Sequence, residues 1–382
     1  MSNPAAYLDY QASTPMDRRV GEVMLEAFAA PGNASSDEHA FGWNAGRRLA
    51  AARELVASAI GANADEVTFT SGATEANNIA IKGAALAAPP ARRRVLISAF
   101  EHKSVLESAQ ALASAGYVIE FIPVGSDGLV NMAALEGMLA DDVAVVSVMA
   151  VNNEIGTIQP VADIASRTRE VGAFFHVDGT QALAAMKVDV FEWGGDSVSF
   201  SGHKVYGPVG VGALYLAADA PWRPVPLMQG GGQENGLRPG TVAVPLCVGL
   251  AEACRLLLED GEAERSKVAS IRDSLERAIR SYVPEAEVTC AATPRHPGSL
   301  HIRFPGVAAS DLLTRVQPRV GAATGSACTS GVIGPSHVLL AIGMTPEVAE
   351  ECIRFSVGRF STEDDISVAA EALGAALRRR AA

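Results

Sequence analysis

Short apolar segments that alternate with helix-like segments occupy the first two-thirds of this chain. Strand candidates lie at 67–70, 94–98, 117–123, 143–151, 173–177, 197–200 and 210–216. Strands that are apolar on both faces and alternate with helices form a mostly parallel sheet that is covered on both sides. The sequence therefore predicts an α/β fold.

The pattern changes after about residue 245. A long helix-rich stretch over 246–281 has the spacing of one or two amphipathic helices. Strand candidates follow at 299–304 and 353–357, and a last helical segment ends near Arg380. This part predicts a second, smaller α+β domain.

Composition narrows the class of protein. The 382 residues carry a formal net charge of -12, which argues against strong direct binding of nucleic acid. Five cysteines without a C-x-x-C pair are not a disulfide framework and suit a reducing compartment. The N-terminus has no apolar signal-peptide core, and no apolar run reaches the roughly 18 residues that span a bilayer. We expect a cytoplasmic protein.

A lysine and a carboxylate stand at the ends of two predicted strands. Lys204 follows the strand at 197–200, and Asp178 ends the strand at 173–177. Pyridoxal phosphate (PLP) needs an amine that binds its aldehyde and a carboxylate that keeps its ring nitrogen protonated. Strand ends of an open α/β sheet are where ligands usually bind. The alternatives are a solvated surface lysine and an aspartate that caps a helix.

The segment Thr70-Ser-Gly-Ala-Thr-Glu75 lies where a strand gives way to a helix. Successive backbone N–H groups and the helix dipole make an anion site there, and Ser71 and Thr74 add hydroxyl donors. An ordinary N-cap formed by either hydroxyl is the alternative. Ser201 and His203, beside the lysine, are further candidates for contact with a phosphate.

Four other residues give weaker signals. His102 follows a strand and has a ring that could stack on an aromatic ligand, although a lone histidine is more often structural. Asn152 and Asn153 follow the strand at 143–151 and serve either a carboxylate or a turn. Arg354 suits a substrate carboxylate, with a structural ion pair as the alternative.

Cys328 is the cysteine whose surroundings indicate reactivity. It lies within Gly321-Ala-Ala-Thr-Gly-Ser-Ala-Cys328-Thr-Ser-Gly331, where the neighbours are too small to bury it well. The other cysteines have apolar or helical neighbours and fit the usual role of a small buried side chain. We therefore predict a reactive thiol at Cys328.

In combination, these segments resemble the class V aminotransferase family, and within it the cysteine desulfurases of the NifS/IscS type. The resemblance extends over nearly the whole chain and is carried by Tyr7-Leu-Asp-Tyr10, Gly72-Ala-Thr-Glu75, Glu101-His-Lys103, Val151-Asn-Asn-Glu-Ile-Gly156, His176-Val-Asp178, Thr180-Gln181, Ser201-Gly-His-Lys204-Val-Tyr-Gly-Pro208, Gly230-Gly-Gly-Gln233, Gly325-Ser-Ala-Cys328 and Ile353-Arg-Phe-Ser356. It implies the PLP-dependent fold type I, with a seven-stranded, mostly parallel sheet in a large domain over 16–260. The small domain would comprise 1–15 and 261–382 and carry the Cys328 loop.

The resemblance also implies a role for each matching position. Lys204 would hold the cofactor and move a proton at the substrate Cα, and Cys328 would take the sulfur. Asp178 would pair with the ring nitrogen, His102 would stack on the ring and act in catalysis, and Gln181 would contact the ring oxygen. The remaining roles concern phosphate and substrate: Ala73, Thr74, Ser201 and His203 for the phosphate, Thr241 for the phosphate of a partner subunit in a homodimer, and Asn153 and Arg354 for the substrate carboxylate. No metal site is expected.

The implied activity converts L-cysteine to L-alanine and passes sulfur, as a persulfide on Cys328, to an acceptor protein of unknown identity. Iron–sulfur cluster assembly, tRNA thiolation and DNA phosphorothioation remain open as pathways. Relatives that serve general iron–sulfur assembly carry a longer C-terminal segment, so the end at Ala382 favours a dedicated pathway. The alternatives are a selenocysteine lyase or another class V aminotransferase. Transamination needs no thiol, so Cys328 favours the desulfurase.

Overall fold

A computed structural model describes residues 5–325 and 334–378. The strands in these ranges are β1 (Ala6–Tyr7), β2 (Val67–Thr70), β3 (Arg94–Ser98), β4 (Val118–Ile122), β5 (Val143–Met149), β6 (Phe174–Asp178), β7 (Ser197–Ser201), β8 (Gly212–Leu216), β9 (Glu287–Val288), β10 (Ser299–Arg303), β11 (Val320–Gly321) and β12 (Cys352–Ser356). The α-helices are α1 (Arg18–Ala29), α2 (Ala40–Ile60), α3 (Ala73–Asn78), α4 (Ala84–Ala87), α5 (Lys103–Gln110), α6 (Met132–Met138), α7 (Val161–Glu170), α8 (Ala182–Ala185), α9 (Val190–Trp193), α10 (Val244–Tyr282), α11 (Ala309–Val316), α12 (His337–Ala341), α13 (Pro346–Ala349) and α14 (Glu363–Arg378). A π-helical turn, Ile79–Gly83, joins α3 to α4.

The large sheet has seven strands in the order β2-β8-β7-β6-β5-β3-β4. Only β8 runs antiparallel to its neighbours, β2 and β7. Every residue of β5, β6 and β7 is buried, as expected for central strands rich in valine and phenylalanine with helices on both faces. The predicted α/β fold with a mostly parallel seven-stranded sheet is confirmed.

The carboxyl ends of β2, β6 and β7 meet at one edge of this sheet. Asp178 of β6 is paired with Ser199 of β7. Gly212 of β8 is paired with Thr70 on one side and with Ser201 on the other. A Cβ on Gly212 would lie 2.7 Å from the Cα of Gly72, so only glycine allows this close approach. The edge therefore brings together the predicted ends of three strands.

A second core lies around the antiparallel sheet β12-β10-β9, together with α11, α14 and the later part of α10. The chain's N-terminal segment belongs to this core, because Ala6 and Leu8 are buried in it and β1 pairs with β11. The helix-rich stretch beyond residue 245 is one continuous helix of 39 residues. Along α10, Leu256 packs in the large core and Val268 in the second core. The division at residue 260 falls between these two residues and stays a prediction.

Helices α1 and α2 were not anticipated from the sequence. Both pack against α10, and Val20 and Val56 join the large core. None of the helices in the described ranges is both long and apolar enough to cross a membrane.

Candidate active site at the carboxyl edge of the large sheet

A cavity of about 390 Å³ opens at this edge of the sheet. Its walls include ten of the residues proposed from the sequence: Ala73, Thr74, His102, Asn153, Asp178, Gln181, Ser201, His203, Lys204 and Arg354. Thr241 is exposed and is not among the lining residues. Cys328 lies outside the described residues.

Lys204 lies on the short turn that follows β7. Its Nζ donates hydrogen bonds to the backbone carbonyl oxygens of Gln11 at 2.6 Å and Ala12 at 2.8 Å. The same N-terminal segment holds the turn in place, because the hydroxyl of Thr14 donates to the carbonyl of His203 at 2.9 Å. The amine thus lies where the ends of the large sheet meet the N-terminal segment.

Asp178 is almost fully buried and is surrounded by donors. Its Oδ2 accepts from Asn77 Nδ2 at 2.9 Å, and its Oδ1 accepts from the backbone N–H of Thr180 at 3.0 Å and from the hydroxyl of Ser199 at 3.4 Å. A buried carboxylate requires such donors. The arrangement suits an anion that faces a cationic ring nitrogen.

Asn77 is the centre of a buried polar network that sequence reasoning missed. Its Nδ2 donates to Asp178 and, at 2.8 Å, to the hydroxyl of Ser104, so its Oδ1 is left to accept from Nε2 of His176 at 3.0 Å. Burial lowers the pKa of His176 to about 4, although Asp178 opposes this, and the ring is therefore neutral. With its one proton on Nε2, its Nδ1 accepts from Ser197 Oγ at 2.8 Å.

A signal for Asn77 was present in the sequence. Asn77 lies three residues before Ala80 and four before Ile81, so it shares a helix face with buried apolar residues. A fully buried asparagine on an apolar helix face needs polar partners. What the local pattern did not reveal was that these partners are Ser104, His176 and Asp178.

His102 forms the N-cap of α5. Its Nδ1 accepts from the backbone N–H of Ser104 at 3.1 Å and lies 2.8 Å from the Ser104 hydroxyl. Burial lowers the pKa of His102; the charge of Asp178 opposes this effect and that of Lys204 reinforces it. A neutral ring fixed by its Nδ1 edge suits the predicted stacking role.

The start of α3 also lines the cavity. The N-cap is Gly72, which has φ of 150°, and neither Ser71 nor Thr74 caps the helix in its place. The first N–H groups of α3 have no acceptor within the helix. Ser201 lies nearby, since its Oγ is 3.9 Å from the position that a Cβ on Gly72 would take. These donors match the predicted phosphate site.

Arg354 lies in β12. Its Nη1 donates to the carbonyl oxygen of Asn153 and its Nη2 donates to Oδ1 of Asp9, both at 2.7 Å. The structural ion pair considered as an alternative therefore exists, and the guanidinium also lines the cavity. Asn152 serves the turn, because its Oδ1 accepts from the backbone N–H groups of Glu154 and Ile155. Asn153, in contrast, lines the cavity.

Glu154 is a second buried carboxyl group close to this clamp. Burial raises its pKa to about 7, although the hydroxyl of Ser336 and the charge of Arg354 oppose the rise. Its Oε1 lies 3.9 Å from Nε2 of His301. Because burial lowers the pKa of His301 to about 3, that ring is neutral and gives Glu154 no cationic partner.

The residues present fit PLP. An amine, a buried carboxylate and a helix start rich in donors match the aldehyde, the ring nitrogen and the phosphate of the cofactor. Two further side chains of the cavity wall, Gln11 and Thr180, have buried polar atoms for which the described residues provide no hydrogen-bond partner. A polar ligand in the cavity would satisfy them.

Over residues 6–368 the chain matches the model of the family described as aminotransferase class-V. The chain belongs to the class-V aminotransferase family. It is 41% identical to the cysteine desulfurase IscS of Rickettsia akari, over 95% of this chain and 88% of that protein. Among solved structures, a NifS-like protein superposes with a TM-score of 0.91 at 31% identity and covers 98% of this chain and 99% of its own. SspA in complex with cysteine has a TM-score of 0.80 at 32% identity, over 94% of this chain and 100% of its own.

These comparisons confirm four expectations from the sequence. The chain is similar to the NifS/IscS-type proteins, it has the PLP-dependent fold type I, its cofactor is PLP, and its activity is that of a cysteine desulfurase. They compare whole chains, so the roles of single residues stay predictions.

Proposed function

We propose that this cysteine desulfurase cleaves L-cysteine in the cavity at the carboxyl edge of the large sheet. The observation that carries the proposal is the convergence of Lys204, Asp178 and Arg354 on one cavity. When bound, PLP supplies an electron sink that stabilises negative charge at the substrate Cα. The SspA–cysteine complex supports L-cysteine as the substrate.

In this proposal Lys204 binds the cofactor and then moves a proton at the substrate Cα. The carbonyl oxygens of Gln11 and Ala12, at 2.6 and 2.8 Å, orient its amine. Asp178 holds a proton on the ring nitrogen, and Asn77 keeps that carboxylate in place. His102 stacks on the ring, and Gln181 contacts the ring oxygen.

Binding of phosphate and of substrate is assigned to two separate groups of cavity residues. Ala73, Thr74, Ser201 and His203 hold the phosphate; burial and, after it, the charge of Lys204 lower the pKa of His203 to about 4, so it acts as a neutral donor.

Arg354 and Asn153 hold the substrate carboxylate. Because such a contact binds ground and transition states alike, Arg354→Ala should chiefly raise KM. An unchanged KM would argue against the clamp.

Cys328 is proposed as the nucleophile. Its thiolate attacks the sulfur of L-cysteine, an S–S bond forms as the substrate C–S bond breaks, and the carbon skeleton takes up a proton and leaves as L-alanine. The sulfur stays as a persulfide until an acceptor protein removes it.

The test uses the variants Lys204→Ala and Cys328→Ala, with Cys290→Ala as a matched control. Lys204→Ala should lose the visible absorption of bound PLP, and Cys328→Ala should keep it but produce no L-alanine from L-cysteine. Cys290 lies outside the cavity, and burial raises its pKa to about 11, so its variant should retain activity. Full turnover in Cys328→Ala would reject the assigned nucleophile.

The homodimer is part of the same proposal. Five apolar side chains are more than half exposed on α1, on α2 and beside the cavity: Leu25, Phe28, Phe41, Trp43 and Val209. A dimer interface would cover such exposed apolar side chains. Thr241 is exposed and does not line the chain's own cavity, which agrees with a role in the partner's site. Light scattering at micromolar concentration should give twice the mass of the chain; a monomer would contradict the proposal.

A further inference from the structure

Gln11 connects the proposed substrate clamp with the proposed catalytic lysine. Its carbonyl oxygen accepts from Lys204 Nζ at 2.6 Å and from Gln181 Nε2 at 2.9 Å. Its backbone N–H donates to the hydroxyl of Ser356 at 2.9 Å, and Ser356 lies two residues beyond Arg354 on β12. The backbone of Gln11 is therefore held between the two parts of the site that must share one substrate.

The side-chain amide of Gln11 has no such partners. It lines the cavity, and the residue is 2% exposed. Its Oε1 and its Nε2 are both buried. Neither atom has a hydrogen-bond partner in the described part of the chain. Buried amide groups are normally paired, so this amide points to a ligand with both a donor and an acceptor.

Once the polar groups of the cofactor have been assigned to other residues, the amino-acid substrate is the ligand that remains for this amide. In the proposed function, Asp178, Gln181 and the start of α3 would hold the ring nitrogen, the ring oxygen and the phosphate of the cofactor. Each terminal nitrogen of Arg354 already donates one hydrogen bond, to Asn153 or to Asp9. A substrate carboxylate has about four acceptor positions, so it can accept from another donor besides Arg354. An α-amino acid presents a carboxylate and an ammonium group on one carbon, which complements an amide that has a donor and an acceptor.

We propose that Gln11 binds the backbone of the incoming amino acid, with Nε2 donating to the α-carboxylate and Oε1 accepting from the ammonium group. The inference rests on the proposed function. Because Gln11 would contact the part that L-cysteine and L-alanine share, it should affect the binding of substrate and product equally. It would bind the carboxylate and ammonium groups of the amino acid, and other residues would recognise the sulfur.

The experiment compares the holoenzyme with Gln11→Met, which keeps the length of the side chain but removes both polar atoms, and with Gln11→Glu. The measurements are PLP content from visible absorption, the Kd for L-alanine by calorimetry, and kcat and KM for L-cysteine. Gln11→Met should keep its PLP, raise the Kd and the KM by about 100-fold each, as expected for two lost hydrogen bonds to charged groups, and change kcat by less than about 2-fold. Gln11→Glu should also raise the Kd and the KM, because it replaces the donor to the substrate carboxylate with a second carboxylate.

Each other outcome has a definite meaning. Variants with normal PLP content and wild-type Kd and KM would overturn the inference and leave the proposed function intact. Loss of PLP from Gln11→Met would also overturn it, because the amide would then serve the cofactor. A wild-type enzyme that binds neither L-cysteine nor L-alanine would instead reject the proposed function.

Discussion

The substitution Glu154→Gln tests whether the buried carboxyl group beside Arg354 is neutral. Glu154 is 2% exposed, and burial is the largest cause of the rise of its pKa from 4.5 to about 7. Because the folded-state pKa lies above the unfolded one, the folded protein binds the proton more tightly. The contribution of Glu154 to stability is therefore greatest below about pH 4.5, falls as the pH rises from 4.5 to 7, and is largely lost above pH 7.

The magnitude follows from the same values. A rise from 4.5 to about 7 corresponds to about 3 kcal/mol of stability lost on full ionisation, most of it between pH 5 and pH 8. Glutamine has the same shape and no charge, so the variant lacks this dependence. The free energy of unfolding of Glu154→Gln minus that of the wild type should therefore be about 2–3 kcal/mol larger at pH 8 than at pH 5.

The assay is guanidinium chloride unfolding of both holoenzymes at pH 5 and pH 8 at equal ionic strength. The result is how the difference in free energy of unfolding between variant and wild type changes from pH 5 to pH 8. Any effect of the substitution on packing that is the same at both pH values cancels. Glu262→Gln, at an exposed position of α10, is the control and should show no such change. A difference that is the same at both pH values would mean that Glu154 titrates alike in the folded and unfolded chain, and would refute the reasoning.

Two further substitutions test buried polar contacts. Asn77→Ala removes donors from Asp178 and Ser104 and the acceptor of His176, so stability should fall by about 2–4 kcal/mol and PLP should dissociate faster on dialysis. Unchanged PLP retention would contradict this role. Glu234→Gln removes the anionic partner of Arg53, whose guanidinium donates to both carboxylate oxygens at 2.6 and 2.7 Å. Denaturant unfolding should show a loss of about 3–5 kcal/mol, and a loss below about 1 kcal/mol would mean that the pair contributes little.

The strands of the large sheet could be predicted because each has a local signature. Buried strands such as β5 and β6 consist almost wholly of apolar residues, and that pattern needs no knowledge of distant parts of the chain. Helices α1 and α2 were missed for different reasons. Helix α1 buries Val20, Met24 and Ala27, but its exposed Leu25 and Phe28 obscure that face in the sequence. Helix α2 buries mainly small residues. The contact of both helices with α10, about 200 residues later in the chain, decides which face is inside.

Some residues of the candidate site could likewise be predicted from local sequence, and others could not. Lys204 and Asp178 could be proposed because they stand at strand ends, and Arg354 because a guanidinium suits a substrate carboxylate. All three lie in motifs similar to those of a known family. Asn77 and Gln11 could not be assigned roles, since both owe them to partners that are distant in sequence. Gln11 meets Lys204 only where the N-terminal segment crosses the end of β7.

The sequence by itself determined the alternation of strands and helices and the residue types that PLP chemistry requires, because periodicity and motifs are local properties of the chain. Only the tertiary structure decided which polar groups are buried together. It paired Arg354 with Asp9 and Asn77 with Asp178, and it left the amide of Gln11 at the cavity wall. The reason is physical: the cost of burying a polar group depends on its partners in space, and packing brings those partners from far along the chain.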